Sequence, residues 1–313
     1  MSNPSSQEFV PAMSEIAREA GALLMDYFHQ HLKIEYKGDA DLVTAADRAA
    51  ETLIRERIRQ RWPEHDVLGE EQGLSDQGSE YRWYVDPLDG TTNFAHGYPV
   101  FCVSLGLERR GLETRDLETR GLEQRGLEPE GLDRQAPGAR STGKRANRIA
   151  AAIYDPTRDE LFTAELGKGA QLNGEAMRVS KTATLRESLL ATGFPSQKRH
   201  KNPNIYFYHQ ITLHTHGVRR AGSAALDLCN VASGRYDGFW EFNLNPWDTA
   251  AGVLIVEEAG GRVTRFDGSP FELNSRETVA SNGLVHEALV EEFKDIFAGR
   301  GLEPLADPRE YQR

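Results

Sequence analysis

Apolar side chains along this chain follow helical spacing in some stretches and form strand-like runs in others. Positions that recur every three or four residues predict helices over residues 7–31, 44–61, 205–216 and 248–259. Short apolar runs predict strands at WYV (83–85), VFCVSLGL (100–107) and ESLLATGF (187–194). Residues 148–174 contain two further runs around an Asp-Pro turn, which predicts a hairpin. Because both element types occur throughout, the chain is expected to be an α+β or α/β protein whose sheets are covered by helices.

One segment fits neither spacing. Residues 111–135 repeat a five-residue unit of the type GLETR, with leucine at positions 112, 117, 122, 127 and 132. Steps of five residues place successive leucines about 140° apart on a helix and on alternate faces of a strand, so neither structure gathers them on one side. We therefore predict a disordered insertion over residues 108–147.

Length, charge and cysteine content narrow the class of protein. The 313 residues are enough for two coupled halves, predicted at 1–184 and 185–313. The 37 basic and 48 acidic side chains give a net charge of −11, which argues against general affinity for nucleic acid. No apolar run has the length of a membrane span, the N-terminus lacks the pattern of a signal peptide, and only Cys102 and Cys229 are present. These features predict a cytoplasmic protein without a disulfide framework.

Acidic residues stand where predicted elements end. Asp86 follows the WYV run, and Pro87 is expected to stop the strand and turn the backbone, which brings Asp89 and the Leu88 carbonyl toward the same point. Glu70 ends another apolar stretch, and Asp248 is expected to cap a helix; the pattern as a whole is typical of a site for hard, oxygen-seeking cations such as Mg²⁺.

Simpler interpretations of these residues stay open at this level. Asp248 can be only a helix cap, Asp47 only a favourable charge in a first helical turn, and Glu70 only an exposed acid in a turn. The neighbouring Gly90, Thr91 and Thr92 favour a site, because they offer backbone N–H groups and hydroxyls to an anion.

Five motifs resemble those of the inositol monophosphatase family, specifically its bacterial branch. They are DLVTAAD (41–47), GEE (69–71), DPLDGTTNF (86–94), RRAGSAALDLC (219–229) and NPWDTAAG (245–252). The resemblance implies a layered αβαβα fold of the inositol monophosphatase and fructose bisphosphatase type, a homodimer, and two or three Mg²⁺ ions where the two halves meet.

The same resemblance implies roles for individual residues. Glu70, Asp86 and the Leu88 carbonyl are expected to bind one magnesium ion, and Asp86, Asp89 and Asp248 a second. Gly90 and Thr91 are expected to donate N–H groups to phosphate, and Thr91 and Asp47 to orient the attacking water. Glu241 and Ala224 are expected to contact the hydroxyls of the substrate, although Glu241 can also be an exposed acid on a strand.

The resulting expectation is a lithium-sensitive, Mg²⁺-dependent phosphomonoesterase acting on inositol 1-phosphate. The alternatives are a histidinol-phosphatase, or a fructose-1,6-bisphosphatase or other sugar phosphatase of the same superfamily. A non-enzymatic alternative is binding of RNA or a protein partner through the basic segment 139–148.

Overall fold

A computed structural model of the chain describes residues 8–29, 35–36, 42–43, 45–110, 148–194 and 202–312. The helices are α1 (Phe9–Phe28), α2 (Ala45–Arg61), α3 (Thr91–Ala95), α4 (Asn204–His214), α5 (Ala224–Ala232), α6 (Pro246–Glu258) and α7 (His286–Ala298). The strands up to the end of the first large sheet are β1 (Glu35–Tyr36), β2 (Leu42–Val43), β3 (Asp66–Gly69), β4 (Gly73–Ser75), β5 (Tyr81–Asp89), β6 (Cys102–Arg109), β7 (Arg148–Asp155), β8 (Glu160–Glu165), β9 (Gly169–Leu172) and β10 (Glu175–Met177). The remaining strands are β11 (Leu189–Thr192), β12 (Gly217–Arg219), β13 (Gly238–Phe242), β14 (Arg262–Thr264) and β15 (Glu277–Ser281).

Two large sheets organise the described part of the chain. The first has the order β10-β9-β8-β7-β6-β5-β3-β4 and is antiparallel except where β3 and β5 run parallel. The second has the order β12-β11-β13-β15-β14, with β11 parallel to both of its neighbours. The strands of the first sheet lie within residues 66–177 and those of the second within 189–281.

Hydrophobic clusters fill the spaces between helices and sheets. Helices α1 and α2 cover one face of the first sheet, and α5 and α6 lie between the two sheets. Helices α4 and α7 pack on the outer face of the second sheet. The resulting layers are αβαβα, as the resemblance implied. α5 and α6 are buried on nearly every side, which explains why the apolar residues of α6 follow no single face.

The prediction that Pro87 stops the strand is wrong. Strand β5 continues through Pro87 to Asp89, and its pairing with β6 shifts between Asp86, opposite Ser104, and Asp89, opposite Cys102. One extra residue on β5 therefore forms a β-bulge, which accommodates a proline that has no N–H to donate. In a regular strand, residues three apart point to opposite faces, so the bulge is what allows both aspartates to reach the same side.

The predicted insertion begins too early. Glu108 and Arg109 belong to β6, where Glu108 pairs with Arg148 across the sheet and accepts a hydrogen bond from the Tyr84 hydroxyl. The five-residue repeat at 111–135, and with it the predicted disorder, lies outside the described residues, as does the predicted helix start at Thr44. The division into halves at 184 and 185 stays a prediction.

Candidate active site

The bulge in β5 and two neighbouring chain segments deliver the acidic residues. Asp86 is buried in the bulge at 2% exposure. Glu70 follows the end of β3, and its backbone N–H donates to the Val85 carbonyl of the parallel strand β5 over 3.2 Å. Asp248 comes from the first turn of α6, which packs against the same sheet. Residues from distant parts of the sequence therefore meet at one end of β5.

Burial and mutual repulsion dominate the electrostatics of this group. In the described ranges, no three Asp, Glu, His or Cys side chains stand close enough together to hold a metal ion as they are. The pKa of the Asp86 carboxyl is nevertheless raised well above its ordinary value, first by burial and then by the negative charges of Glu70, Asp89 and Asp248. Glu70, Asp89 and Asp248 are thus near enough for their negative charges to disfavour ionisation of Asp86.

Asp89 is oriented by the N-terminus of α5. Its Oδ2 accepts a hydrogen bond from the Ser223 hydroxyl over 2.7 Å and another from the Ala225 N–H over 2.7 Å. Burial raises the pKa of Asp89, while these donors oppose the rise. Ser223 also accepts from the Leu226 N–H as the cap of α5. One hydroxyl therefore starts a helix and holds a carboxylate 134 residues away.

Asp248 takes part in capping α6, but it is not the N-cap residue that the sequence predicted. The residue that caps α6 is Asn245, and Asp248 stands three positions later, where its Oδ2 accepts from the Asn245 N–H over 2.6 Å in a capping box. Burial and the charge of Asp89 raise the pKa of Asp248 to about 7. Asp248 therefore takes part in capping α6, but capping uses only Oδ2, and the carboxyl group still lies within the influence of the Asp89 charge.

Gly90, Thr91 and Thr92 follow the bulge directly. Gly90 has a φ of 100°, and a Cβ there would lie 2.8 Å from the Val100 carbonyl oxygen, so only glycine fits without strain. The Thr91 hydroxyl donates to the Leu88 carbonyl over 3.1 Å, which leaves the second lone pair of that carbonyl for another ligand. Thr91 is half-buried and Thr92 is exposed.

The predicted substrate-contacting residues lie on the second sheet side of the group. Glu241 in β13 is buried at 8% exposure, which excludes the interpretation as an exposed acid. Burial and the charges of Asp227, Asp248 and Asp89 raise its pKa well above the ordinary value, and Arg220 opposes the rise. Ala224 is the first residue of α5, beside the Ser223 that holds Asp89.

Asp47 lies in the first turn of α2 and is buried at 1% exposure. The main charges that raise the pKa of Asp86 are those of Glu70, Asp89 and Asp248.

Sequence reasoning missed Ser223, Asn93 and Asp227. The Asn93 amide donates to the carbonyls of Val100 and Ala221 over 2.8 and 2.9 Å, and so joins α3 to the loop before α5. Asp227 is buried in α5, and its Oδ1 has no hydrogen-bond partner among the described residues. A serine before an apolar helical run signals a cap, but nothing in the sequence signals its contact with Asp89.

The donor set fits a hard cation. Carboxylates and a backbone carbonyl supply only oxygen, and no cationic side chain in the described part of the chain is among the main causes of the Asp86 pKa shift. The nearby Cys102 sulfur lies 4.0 Å from Asp89 Oδ2, and burial raises the pKa of this thiol well above its ordinary value. It therefore stays neutral and offers no competing soft ligand.

Comparison with known proteins agrees with this geometry. The model of the inositol monophosphatase family matches residues 5–112 and 144–298, and so passes over most of the repeat segment. Over 286 residues the chain is 42% identical to an inositol-1-monophosphatase of Synechocystis sp., covering 90% of this chain and 88% of that protein. It is 35% identical over 279 residues to a fructose-1,6-bisphosphatase/inositol-1-monophosphatase of Aquifex aeolicus, covering 88% and 91%. The solved structure of inositol monophosphatase from Anabaena (Nostoc) sp. PCC 7120 is 38% identical, with a TM-score of 0.75 and coverage of 96% and 98%.

The layered fold and the buried acidic group define a metal-dependent phosphatase that hydrolyses phosphoric monoesters. The chain belongs to the inositol monophosphatase family. No helix in the described ranges combines the length and apolar character that crossing a membrane requires.

Proposed function

We propose that the protein is a Mg²⁺-dependent phosphatase that hydrolyses inositol 1-phosphate to inositol and phosphate. One observation carries the proposal: the charges of three other acids, Glu70, Asp89 and Asp248, raise the pKa of the buried Asp86 carboxyl, and no cationic side chain of the described residues is among the main causes that oppose the rise. A group of this kind is unfavourable in an empty protein and becomes a phosphate site once hard cations neutralise it.

The residues that would hold the ions follow the family pattern. Glu70, Asp86 and the Leu88 carbonyl are proposed for one ion, and Asp86, Asp89 and Asp248 for a second. Bound divalent cations would neutralise the carboxylates, draw in the phosphate group and lower the pKa of a coordinated water. Hydrogen bonds to Ser223, Ala225 and Asn245 already fix one oxygen of Asp89 and one of Asp248, and so orient the other oxygens.

We assign the orientation of the attacking water and the binding of the phosphate to residues of the segment after the bulge and of α2. Thr91 and Asp47 are proposed to orient the attacking water, and Gly90 and Thr91 to donate N–H groups to the phosphate oxygens, with Thr92 at the exposed edge. Pre-aligned N–H donors stabilise the charge that builds on phosphoryl oxygens during transfer.

Substrate choice is assigned to Glu241 and Ala224. A buried carboxylate accepts hydrogen bonds from several hydroxyls, which suits a polyol. Fructose 1,6-bisphosphate is the second candidate, because the Aquifex relative carries both activities in its name. Histidinol phosphate is the remaining alternative.

The test is a comparison of kcat/KM for inositol 1-phosphate, fructose 1,6-bisphosphate and histidinol phosphate, with Mg²⁺ present and after its removal by a chelator. The proposal expects the highest value for inositol 1-phosphate, loss of activity without divalent cation and its return on adding Mg²⁺. Millimolar lithium is expected to inhibit. A higher kcat/KM for either other substrate assigns the enzyme to that substrate, and full activity with the chelator refutes the metal assignment.

Homodimer formation and a cytoplasmic location are also proposals that rest on the family. Sedimentation velocity tests the first. Deleting residues 111–135 tests the binding alternative: we expect unchanged hydrolysis and no lost RNA or protein partner, whereas a lost partner would favour the binding role.

A further inference from the structure

Helix α2 carries a second buried acid that the proposed chemistry does not use. Glu51 lies one helical turn after Asp47, and its side chain is fully buried. Its Oε1 accepts from the Arg55 guanidinium over 2.6 Å, which forms a buried ion pair. A buried carboxylate persists only with such compensation.

The other partners of Glu51 are backbone groups next to Glu70. Its Oε2 accepts from the Glu71 N–H over 2.7 Å and its Oε1 from the Gln72 N–H over 3.1 Å. On the other side of this turn, the Glu70 N–H donates to the Val85 carbonyl over 3.2 Å. The segment that presents Glu70 is thus held from one side by the strand that carries Asp86 and from the other by α2.

Gly69 shows how closely α2 and this turn approach. A Cβ at Gly69 would lie 2.3 Å from Glu51 Oε1 and 2.9 Å from Arg55 Nη2. Any larger residue would push the carboxylate away from the turn. The close contact therefore depends on the glycine in the turn as well as on Glu51 in the helix.

We infer that Glu51 is a positioning residue, which holds the Glu70 turn against α2 and thereby fixes the place from which the Glu70 side chain extends. This role rests on the proposed function, in which Glu70 binds a metal ion. Groups that orient metal ligands without touching the metal typically change metal affinity about 10–100-fold when they are mutated.

The experiment compares Glu51→Gln with a matched control, Asp66→Asn. Asp66 is also a buried acid that accepts two backbone N–H groups and pairs with arginine, but its N–H partners are Gln77 and Ser79, at the far end of the same hairpin. Mg²⁺ affinity is measured by calorimetry on the folded proteins, and the Mg²⁺ concentration for half-maximal hydrolysis is measured beside it. Circular dichroism and Tm record folding.

We expect Glu51→Gln to weaken Mg²⁺ binding about 10-fold or more, to raise the half-maximal Mg²⁺ concentration equally, and to keep most of kcat at saturating Mg²⁺. Asp66→Asn should lower Tm and leave Mg²⁺ affinity within about twofold of the original chain. Gly69→Ala is a second variant in case Glu51→Gln does not fold: it keeps every charge, displaces the carboxylate, and should weaken Mg²⁺ binding in the same direction.

Unchanged Mg²⁺ affinity in Glu51→Gln or Gly69→Ala overturns the inference while the proposed function stands. Equal weakening in Asp66→Asn also overturns it, because the effect would then be general loosening of the hairpin. An original chain that binds no Mg²⁺ overturns the proposed metal site and the inference together.

Discussion

Two buried aspartates on the neighbouring strands β3 and β5 have opposite environments. Asp66 is fully buried, and burial alone would raise its pKa. The N–H groups of Gln77 and Ser79 and the guanidinium groups of Arg110 and Arg82 outweigh that effect, so the pKa of Asp66 lies below its ordinary value.

Asp86 is buried to almost the same extent, but its pKa is raised. Among the main causes of this shift, one hydrogen bond opposes the rise, and it comes from the Leu88 N–H. Its other neighbours, Glu70, Asp89 and Asp248, are acids. Among the described residues, Asp66 is therefore compensated by cationic partners, whereas the main charges acting on Asp86 are those of other acids. Charge compensation, more than burial, separates the two aspartates, and an uncompensated buried acid is a candidate for a functional role.

The largest expected effect is the loss of activity when an acid of the group around Asp86 is replaced. Asp89→Asn should lower phosphate release roughly 10³-fold, because the proposed metal site loses one of the charges assigned to holding a cation. Folding should be retained, since the Asn oxygen can still accept from Ser223 and Ala225. Steady-state kinetics and Tm check both statements, and turnover near that of the original chain would contradict the assignment of Asp89.

The next effect concerns the compensated acid. Asp66→Asn should cost roughly 1–2 kcal/mol of unfolding free energy, because Arg110 and Arg82 lose the charge with which they pair, although water can partly hydrate Arg110, which is 34% exposed. Activity at a permissive temperature should stay within a few-fold. Urea denaturation measures the loss. A stability change below about 0.5 kcal/mol would show that the pair contributes little.

The pH dependence of the same variant follows from the direction of the pKa shift. A carboxyl with a folded-state pKa below its ordinary value of 3.8 contributes stability that is present above that value and is lost as pH falls through the folded pKa. The difference in unfolding free energy between the original chain and Asp66→Asn should therefore be constant near neutral pH and shrink below about pH 4. A difference that grows on acidification would contradict the sign.

The smallest expected effect is a gain. In the absence of divalent cations, Asp86→Asn should raise the unfolding free energy by about 1 kcal/mol, because it removes one of several repelling charges and keeps an oxygen for the Leu88 N–H. Adding Mg²⁺ should raise the Tm of the original chain and not that of the variant. Thermal scans with and without Mg²⁺ decide this, and a lower Tm for the metal-free variant would count against repulsion in this group.

Local sequence patterns predicted most helices and strands. They failed where the structure depends on contact with another segment of the chain. The run 100–107 and the hairpin after 148 were confirmed as β6, β7 and β8. Pro87 failed as a strand end because the bulge exists only in pairing with β6. Asp248 takes part in capping α6 as expected, but as the third residue of a capping box, because Asn245, three positions earlier, is the N-cap residue.

The candidate site shows the same division. The motifs supplied the acids and their order, but the donors that orient Asp89 come from α5, and the position of the Glu70 turn depends on Glu51. Such contacts join residues between about 20 and 136 positions apart, and no local spacing encodes them.

The sequence by itself determined the acids of the candidate site, the type and approximate place of most elements, and the family. Only the tertiary structure decided which buried acid finds a cationic partner within the protein, as Asp66 does, and which meets other acids, as Asp86 does. The physical reason is that electrostatic energy depends on distance through space and on burial, and both are set when distant segments pack together.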